Sequence, residues 1–205
     1  ASYGISATEP KVDFKKVHAH IRKVIAAIEP NDSAARFEKL GVKVVLSAAR
    51  FRDANTVESR DGIFSARRFV IATGSRPAVP PIPGLETVPY FTNETVFENT
   101  VLPKHLIIIG GGAIGMELAQ AYRRLGSQVT VIEAFAPLAK DDPELTAIIL
   151  ESLRRDGVKI LAQTAIKKIS KAKSGIVIET PGRGKITGSH LLVASCHFHI
   201  EENCN

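Results

Sequence analysis

Tryptophan is absent from the 205-residue sequence, and aromatic residues make up only 6% of it. Surfaces that bind single-stranded nucleic acid usually interleave stacking rings with cations. Here the 27 Lys and Arg residues, against 21 Asp and Glu, are spread along the chain. The net charge of +6 therefore reads as a solvated basic surface, and no nucleic-acid partner is expected. Cysteine is equally scarce. Cys196 and Cys204 are too few for a disulfide framework, and they do not have the C-x-x-C spacing of a redox pair. No apolar run reaches the ~20 residues that a membrane-spanning helix needs. Ala1-Ser2-Tyr3-Gly4-Ile5-Ser6 has neither the basic start nor the apolar core of a signal peptide. A cytoplasmic protein with no membrane partner is expected. In the tail, Cys196, His197, His199, Glu201, Glu202 and Cys204 fit no standard zinc spacing, so no metal site is assigned.

What is present is ordinary globular material, 44% hydrophobic and 23% charged, enough for one large domain or two small ones. Val12, Phe14, Val17, Ile21, Val24, Ile25 and Ile28 recur near a 3.6 period and predict a helix over 12–28, stopped by Pro30. Short strands are predicted over 42–46, 56–59 and 63–66, the last two joined by a tight turn at Arg60-Asp61-Gly62. Phe69-Val70-Ile71-Ala72 reads as a buried strand ending at Thr73-Gly74. The proline-dense run 76–84 then predicts a stiff extended link without regular ladders.

From residue 105 the pattern is β-α-β-α-β. Strands are predicted over 106–109, 128–133 and 159–162. One helix spans 113–125, and a second is opened by Asp142-Pro143-Glu144 and closed by Gly157. Antiparallel strands follow over 166–170, 175–180 and 185–187, with a turn at Pro181-Gly182-Arg183-Gly184, and then a final apolar strand over 191–195. This ending repeats the pattern of 42–74. The chain thus reads as two copies of one architecture, of which only the second has a βαβ unit in front.

Gly110-Gly111-Gly112-Ala113-Ile114-Gly115 fits G-x-G-x-x-G, directly after a predicted strand and at the opening of a helix, the context that makes the pattern informative. Gly110 permits the tight turn, Gly112 lets the backbone approach a pyrophosphate, and Gly115 lets the helix pack closely on the strand. Ala119 is small for the same reason. Free N–H groups at the positive end of the helix dipole then hold phosphates. Glu133 closes the second strand 18 residues beyond Gly115, where a carboxylate accepts hydrogen bonds from both ribose hydroxyls of an adenosine. It also repels a 2′-phosphate, and no arginine lies between Gln128 and Lys140. These residues point to an adenine dinucleotide, NAD rather than NADP. FAD stays open because it uses the same fingerprint.

Together with Phe69-Val70-Ile71-Ala72-Thr73-Gly74-Ser75-Arg76-Pro77 and Ile82-Pro83-Gly84, the 110–133 unit resembles the pyridine nucleotide–disulfide oxidoreductases. These two-nucleotide flavoproteins include dihydrolipoamide dehydrogenase, glutathione reductase and mercuric reductase. Glu117-Leu118-Ala119-Gln120-Ala121 and Leu125-Gly126 are similar to the dihydrolipoamide dehydrogenase and mercuric reductase branch. The resemblance extends to Ala194. It implies an α/β, Rossmann-like FAD/NAD(P)-binding fold: a parallel sheet with helices plus an antiparallel β-meander. It also implies a partial FAD-binding-type domain over 1–100, an NAD-binding Rossmann domain over 101–194 and a divergent tail over 195–205. Carried over residue by residue, Ala72, Thr73 and Gly74 match the segment that packs on FAD. Gly110, Gly111, Gly112, Ala113, Ile114, Gly115, Met116, Glu117 and Glu133 match the NAD contacts. Ile166 would lie near the adenine, and the Glu117 carboxylate near flavin and nicotinamide. Ala113 stands where glutathione reductases carry a gating tyrosine.

The departures from the family are equally definite. Residues 1–100 contain no G-x-G, so the family's first FAD-binding βαβ unit has no counterpart there. The redox pair C-x-x-x-x-C has none either, nor does the interface domain that supplies a His–Glu acid–base pair and completes the dimer. In place of the family's Ala-Thr-Gly-Arg-x-Pro-Asn stands Ala194-Ser195-Cys196-His197-Phe198-His199-Ile200, with Cys196 at the glycine that touches NAD. The expectation is the NAD(H)-binding portion of a flavin-dependent enzyme that passes hydride from NADH to FAD and on to a disulfide or another acceptor. The chain alone is expected to be inactive, with no catalytic residue assigned. FAD belongs to the intact family, and a homodimer or a flavin-domain partner is what the resemblance implies. The alternative is a non-catalytic NAD-binding module or one subunit of a split enzyme.

Overall fold

The computed structural model describes residues 11–199. They fall into two compact units, one drawn from 11–20 and 79–196 and the other from 21–78 and 197–199. The predicted first helix forms as α1 (Phe14–Ile28), with Phe14 buried and Val24, Ile25 and Ile28 exposed at its far end.

In the smaller unit α2 (Ala34–Lys39) is capped by Ser33, whose hydroxyl accepts from the Arg36 amide at 3.3 Å. An antiparallel meander follows: β1 (Ala49–Asp53), β2 (Thr56–Ser59) and β3 (Gly62–Ser65). Ser59 pairs with Gly62, so Arg60-Asp61 is a two-residue loop, and Gly62 sits at φ 143°. Two predicted strands do not form. Segments 42–46 and 69–72 are non-strand backbone, with Leu46 82% and Val70 91% exposed. Their apolar runs fit a buried sheet, but among the described residues no strand lies beside either to complete a ladder. The proline-dense link also departs from expectation. β4 (Ser75–Ala78) pairs with β12 (Cys196–His199) in a two-stranded ribbon, an edge setting where Pro77 need not donate an N–H.

The larger unit holds β5 (His105–Ile109), α3 (Ala113–Arg124), β6 (Gln128–Ile132), α4 (Pro143–Arg155) and β7 (Lys159–Leu161). A second meander of β8 (Lys168–Ala172), β9 (Gly175–Thr180) and β10 (Gly184–Gly188) precedes β11 (His190–Val193). The parallel sheet runs β11-β5-β6-β7. Its strands are largely apolar because both faces are covered, with Thr130 a buried polar residue within β6. Alternate residues of β5 feed two cores. Leu106 and Ile108 join Met116, Ala119, Tyr122 and Leu153 from the helices. Ile107 and Ile109 join Ile169 and Ile178 from the meander. Asp142 caps α4, its Oδ1 accepting from the Glu144 and Leu145 amides at 2.9 and 3.3 Å. Of the internal repeat, the three-stranded meander occurs twice, whereas the apolar strand that follows it forms only in the larger unit.

Candidate functional site

β5 delivers the chain into Gly110, at φ 110°, whose amide donates to the Ile132 carbonyl at 2.9 Å and ties the turn to β6. The fold itself explains three of the four glycines. A Cβ on Gly110 would lie 2.5 Å from the Ala194 carbonyl oxygen, and one on Gly111 would lie 2.9 Å from the Glu133 Cβ. On Gly115 it would collide with the Gly110 carbonyl oxygen, so α3 could not sit so close to β5. Gly112 is different. Its φ of −77° and ψ of −178° suit any residue, it is exposed, and a Cβ there would meet nothing within 4 Å. Gly112 is the N-cap of α3 and supplies no side-chain hydrogen bond. The first-turn amides of α3 have no intrahelical acceptors and lie at the positive end of the helix dipole, beside open space suited to an anion.

Glu133 follows directly on β6 and is half-buried. Its Oε2 accepts from the Gly111 amide at 2.6 Å and its Oε1 from the Phe135 amide at 2.8 Å. A carboxylate offers about four acceptor positions, so each oxygen keeps one for a hydroxyl arriving from outside. Two residues absent from the sequence-based set complete the turn. Leu138, buried at φ 54°, donates its N–H to the Gly111 carbonyl at 2.9 Å. Gln163, at φ 49°, donates to the Phe135 carbonyl at 3.0 Å. Among the described residues these are the only non-glycine positions with positive φ, and both brace the segment after β6. Neither Leu nor Gln signals a left-handed conformation in a sequence.

The other expected site residues are distributed unevenly. Ala113 is exposed at the start of α3, and Ile114 packs partly against the helix-side core. Met116, 2% exposed, is a core residue whose side chain faces away from solvent. Glu117 is exposed in a groove of about 410 Å³ shared with Gln120 and, from α4, Leu145 and Ile149. Ile166 is half-buried against the meander-side core. Two residues before it, the Thr164 amide donates to the Glu133 carbonyl at 2.9 Å. Ala72, Thr73 and Gly74 belong to the smaller unit, exposed in the segment that leads into β4. Ala72 and Thr73 line a mostly apolar hollow of about 660 Å³ with Phe51, Phe64, Phe69 and Val70. Among the described residues no three His, Cys, Asp or Glu side chains gather in a metal-binding group. Ala1-Ser2-Tyr3-Gly4-Ile5-Ser6, Glu201, Glu202 and Cys204 lie outside the described residues. Among the described residues no helix is long and apolar enough to cross a membrane.

A four-stranded parallel sheet, a glycine turn opening a helix and an acid after the second strand define a Rossmann-like α/β protein. A family model described as pyridine nucleotide-disulphide oxidoreductase matches residues 6–195. The chain is 32% identical over 200 residues to the mercuric reductase of Streptomyces lividans, across 94% of this chain and 42% of that protein. To the mercuric reductase of Shewanella putrefaciens it is 37% identical over 200 residues, across 89% and 36%. Among solved structures, the Cu(II) complex of the HOCl-induced flavoprotein disulfide reductase RclA from Escherichia coli superposes with a TM-score of 0.81 at 26% identity. That superposition covers 94% of this chain and 46% of that one. LpdA from Mycobacterium tuberculosis shares the fold with a TM-score of 0.77 at 23% identity, over 93% and 44%. The chain belongs to the pyridine nucleotide–disulfide oxidoreductase family, flavin-dependent oxidoreductases with a Rossmann-like FAD/NAD-binding fold. It spans less than half the length of these relatives.

Proposed function

We propose that this chain is the NAD(H)-binding portion of a flavin-dependent pyridine nucleotide–disulfide oxidoreductase. In the whole protein, hydride would pass from NADH to FAD and electrons on to a disulfide or another acceptor. The observation that carries this reading is Gly112. Its three neighbouring glycines answer to clashes inside the fold, whereas Gly112 borders only open space at the start of α3. A glycine there leaves room for a pyrophosphate to reach the helix amides.

The amides of Gly112, Ala113 and Ile114 would hold the diphosphate, and Glu133 the adenosine ribose hydroxyls. Ile166 would flank the adenine, and Glu117 would stand toward the nicotinamide. When bound, the nicotinamide supplies the hydride. Glu133 would select against NADPH because its charge opposes a 2′-phosphate. On the same reading residues 1–100 are a partial FAD-binding-type domain, 101–194 the NAD domain and 195–205 a divergent tail, with Ala72, Thr73 and Gly74 placed to pack on FAD. Cys196 and Cys204 do not form the C-x-x-x-x-C pair of a disulfide relay. The chain by itself therefore binds nucleotide without efficient turnover.

Fluorescence titration with NADH and NADPH tests the proposal. Tighter binding of NADH is expected; tighter binding of NADPH would contradict the role given to Glu133. The colour of the purified protein tests the flavin side. Colourless protein that binds NADH fits this reading, and yellow protein with stoichiometric flavin would mean that the 205 residues hold FAD unaided or with a partner.

A further inference from the structure

The amino ends of the parallel strands form a second site-like hollow, at the far end of the sheet from the glycine turn. His105 begins β5 and the turn follows Ile109, so the two ends are at least about 13 Å apart at the usual strand rise. The hollow has a volume of about 460 Å³ and is lined by His105, Arg123, Lys159 and Lys185, with Thr130, Gln128 and Gly157 among the remainder. No carboxylate lines it. Of the nearby acids, Glu179 pairs with Lys185 at the rim at 3.0 Å and offsets that charge, and Asp156 is engaged outside the hollow by Arg124 and Gln120, each at 2.8 Å. Among the described residues Arg123 and Lys159 have no acidic partner.

Arg123 from α3 and Lys159 from β7 line the same hollow. The guanidinium of Arg123 rests over Gly157, where an added Cβ would lie 2.9 Å from its Nε. Gly157 also has the φ of 89° that the α4–β7 turn requires. Nη1 of Arg123 reaches the Ser127 carbonyl at 3.4 Å, a long contact that leaves most of its donors free. The His105 Nε2 lies 2.9 Å from Oγ1 of the buried Thr130. Burial first, and then the Lys159 charge, hold His105 below its ordinary pKa, partly offset by a hydrogen bond with the Thr187 backbone.

We propose that this hollow is an anion site for a phosphate group, either free phosphate or a small phosphomonoester. Arg123 offers a planar fork that matches two phosphate oxygens, and Lys159 adds a point charge. The hollow is larger than one phosphate needs, and Val129 and Ile186 supply apolar wall for a short carbon chain. Lining the hollow with His105 are Lys159 from β7, Arg123 from α3, Thr130 from β6 and Lys185 from β10, the last paired with Glu179 from β9. A dianion seated among them favours the protonated ring, so its binding must raise the His105 pKa.

The test is an NMR titration of the histidine rings in the full chain. It uses inorganic phosphate, glycerol phosphate, or sodium chloride of matched ionic strength, with saturating NADH present so that the glycine turn is filled. Phosphate or glycerol phosphate should move the His105 titration curve to higher pH while chloride does not. Stronger binding of glycerol phosphate would assign the site to a phosphomonoester, and equal or weaker binding to free phosphate. Arg123→Gln and Lys159→Gln should each weaken that anion about tenfold, the loss of roughly one charge-assisted contact. Lys159 is exposed, so its variant folds even if loss of Arg123 disturbs packing over Gly157. An unchanged His105 curve at tens of millimolar of both phosphates, or an identical shift with chloride, overturns the proposal. The Gly112 and Ala113 amides report the dinucleotide site separately, so failure there is not confused with failure here.

Discussion

Glu133 holds Gly111 in place. Its Oε2 accepts the Gly111 amide at 2.6 Å, and its Cβ lies where any larger residue at 111 would intrude. The same carboxylate that is proposed to read a ribose therefore also shapes the turn that receives the diphosphate. Glu133→Gln keeps the size but places an amide, with donor hydrogens, against two backbone donors. NADH affinity should fall by about 1–3 kcal/mol, with a smaller loss for NADPH, so that the preference between them narrows. Paired fluorescence titrations measure this, and unchanged NADH binding would remove Glu133 from the site.

Gly115 makes a different prediction, one of stability. A methyl group there meets the Gly110 carbonyl oxygen, and α3 must shift off β5 to admit it. Gly115→Ala should cost about 1–3 kcal/mol in urea unfolding, the usual range for overpacking a tight contact. A midpoint equal to that of the parent chain would show that the helix is not held so closely.

Asp156 joins the C-terminal half of α3 to the end of α4. Hydrogen bonds from Gln120 and then Arg124, with the charges of Arg124 and Arg155, hold its carboxyl below the usual carboxylate range. A depressed folded pKa means that the stabilisation is present above the unfolded value, about 3.9, and is lost as pH falls through the lower folded value. Asp156→Asn should therefore flatten the loss of stability below about pH 4. Thermal melts across that range decide it, and a slope identical to the parent's would contradict the assignment.

His105 and His190 act in a higher window. Burial lowers both pKa values, and the His190 ring is stacked on Phe91 with centroids 6.2 Å apart. The unfolded chain thus takes up protons before the folded one does. Stability should be level above about pH 7 and decline as pH falls below about 6.5. Urea midpoints at several pH values measure it, and His190→Gln should make the decline shallower. Constant midpoints from neutral pH down to the carboxylate range would contradict the burial of these rings.

The β5-to-β7 region was legible because its signals are local and agree with one another: largely apolar strands, Asp142-Pro143 opening α4, and Gly157 at φ 89° closing it. Segments 42–46 and 69–72 were misread for a physical reason. An apolar run encodes a demand for burial, but a strand exists only when a neighbour accepts its hydrogen bonds, and the run does not say where that neighbour is. β1 was missed for the converse reason. Ala49, Arg50, Arg52 and Asp53 are exposed and show no apolar alternation, and pairing with β2, including an Arg50–Glu58 ion pair, makes the strand. In the candidate site the glycines and Glu133 could be placed from spacing. The bonds Glu133 makes to Gly111 and Phe135, and the bracing by Leu138 and Gln163, depend on loop geometry that no residue type announces.

The most direct test of the account is calorimetric titration of NADH into the parent chain and Gly112→Ala, with melting curves for both. Nothing in the fold opposes the added methyl group, so the two proteins should melt together, while the variant loses most of its NADH heat because the methyl group occupies the approach of the diphosphate. Equal NADH binding by both proteins, or no heat from the well-folded parent at millimolar NADH, would contradict it.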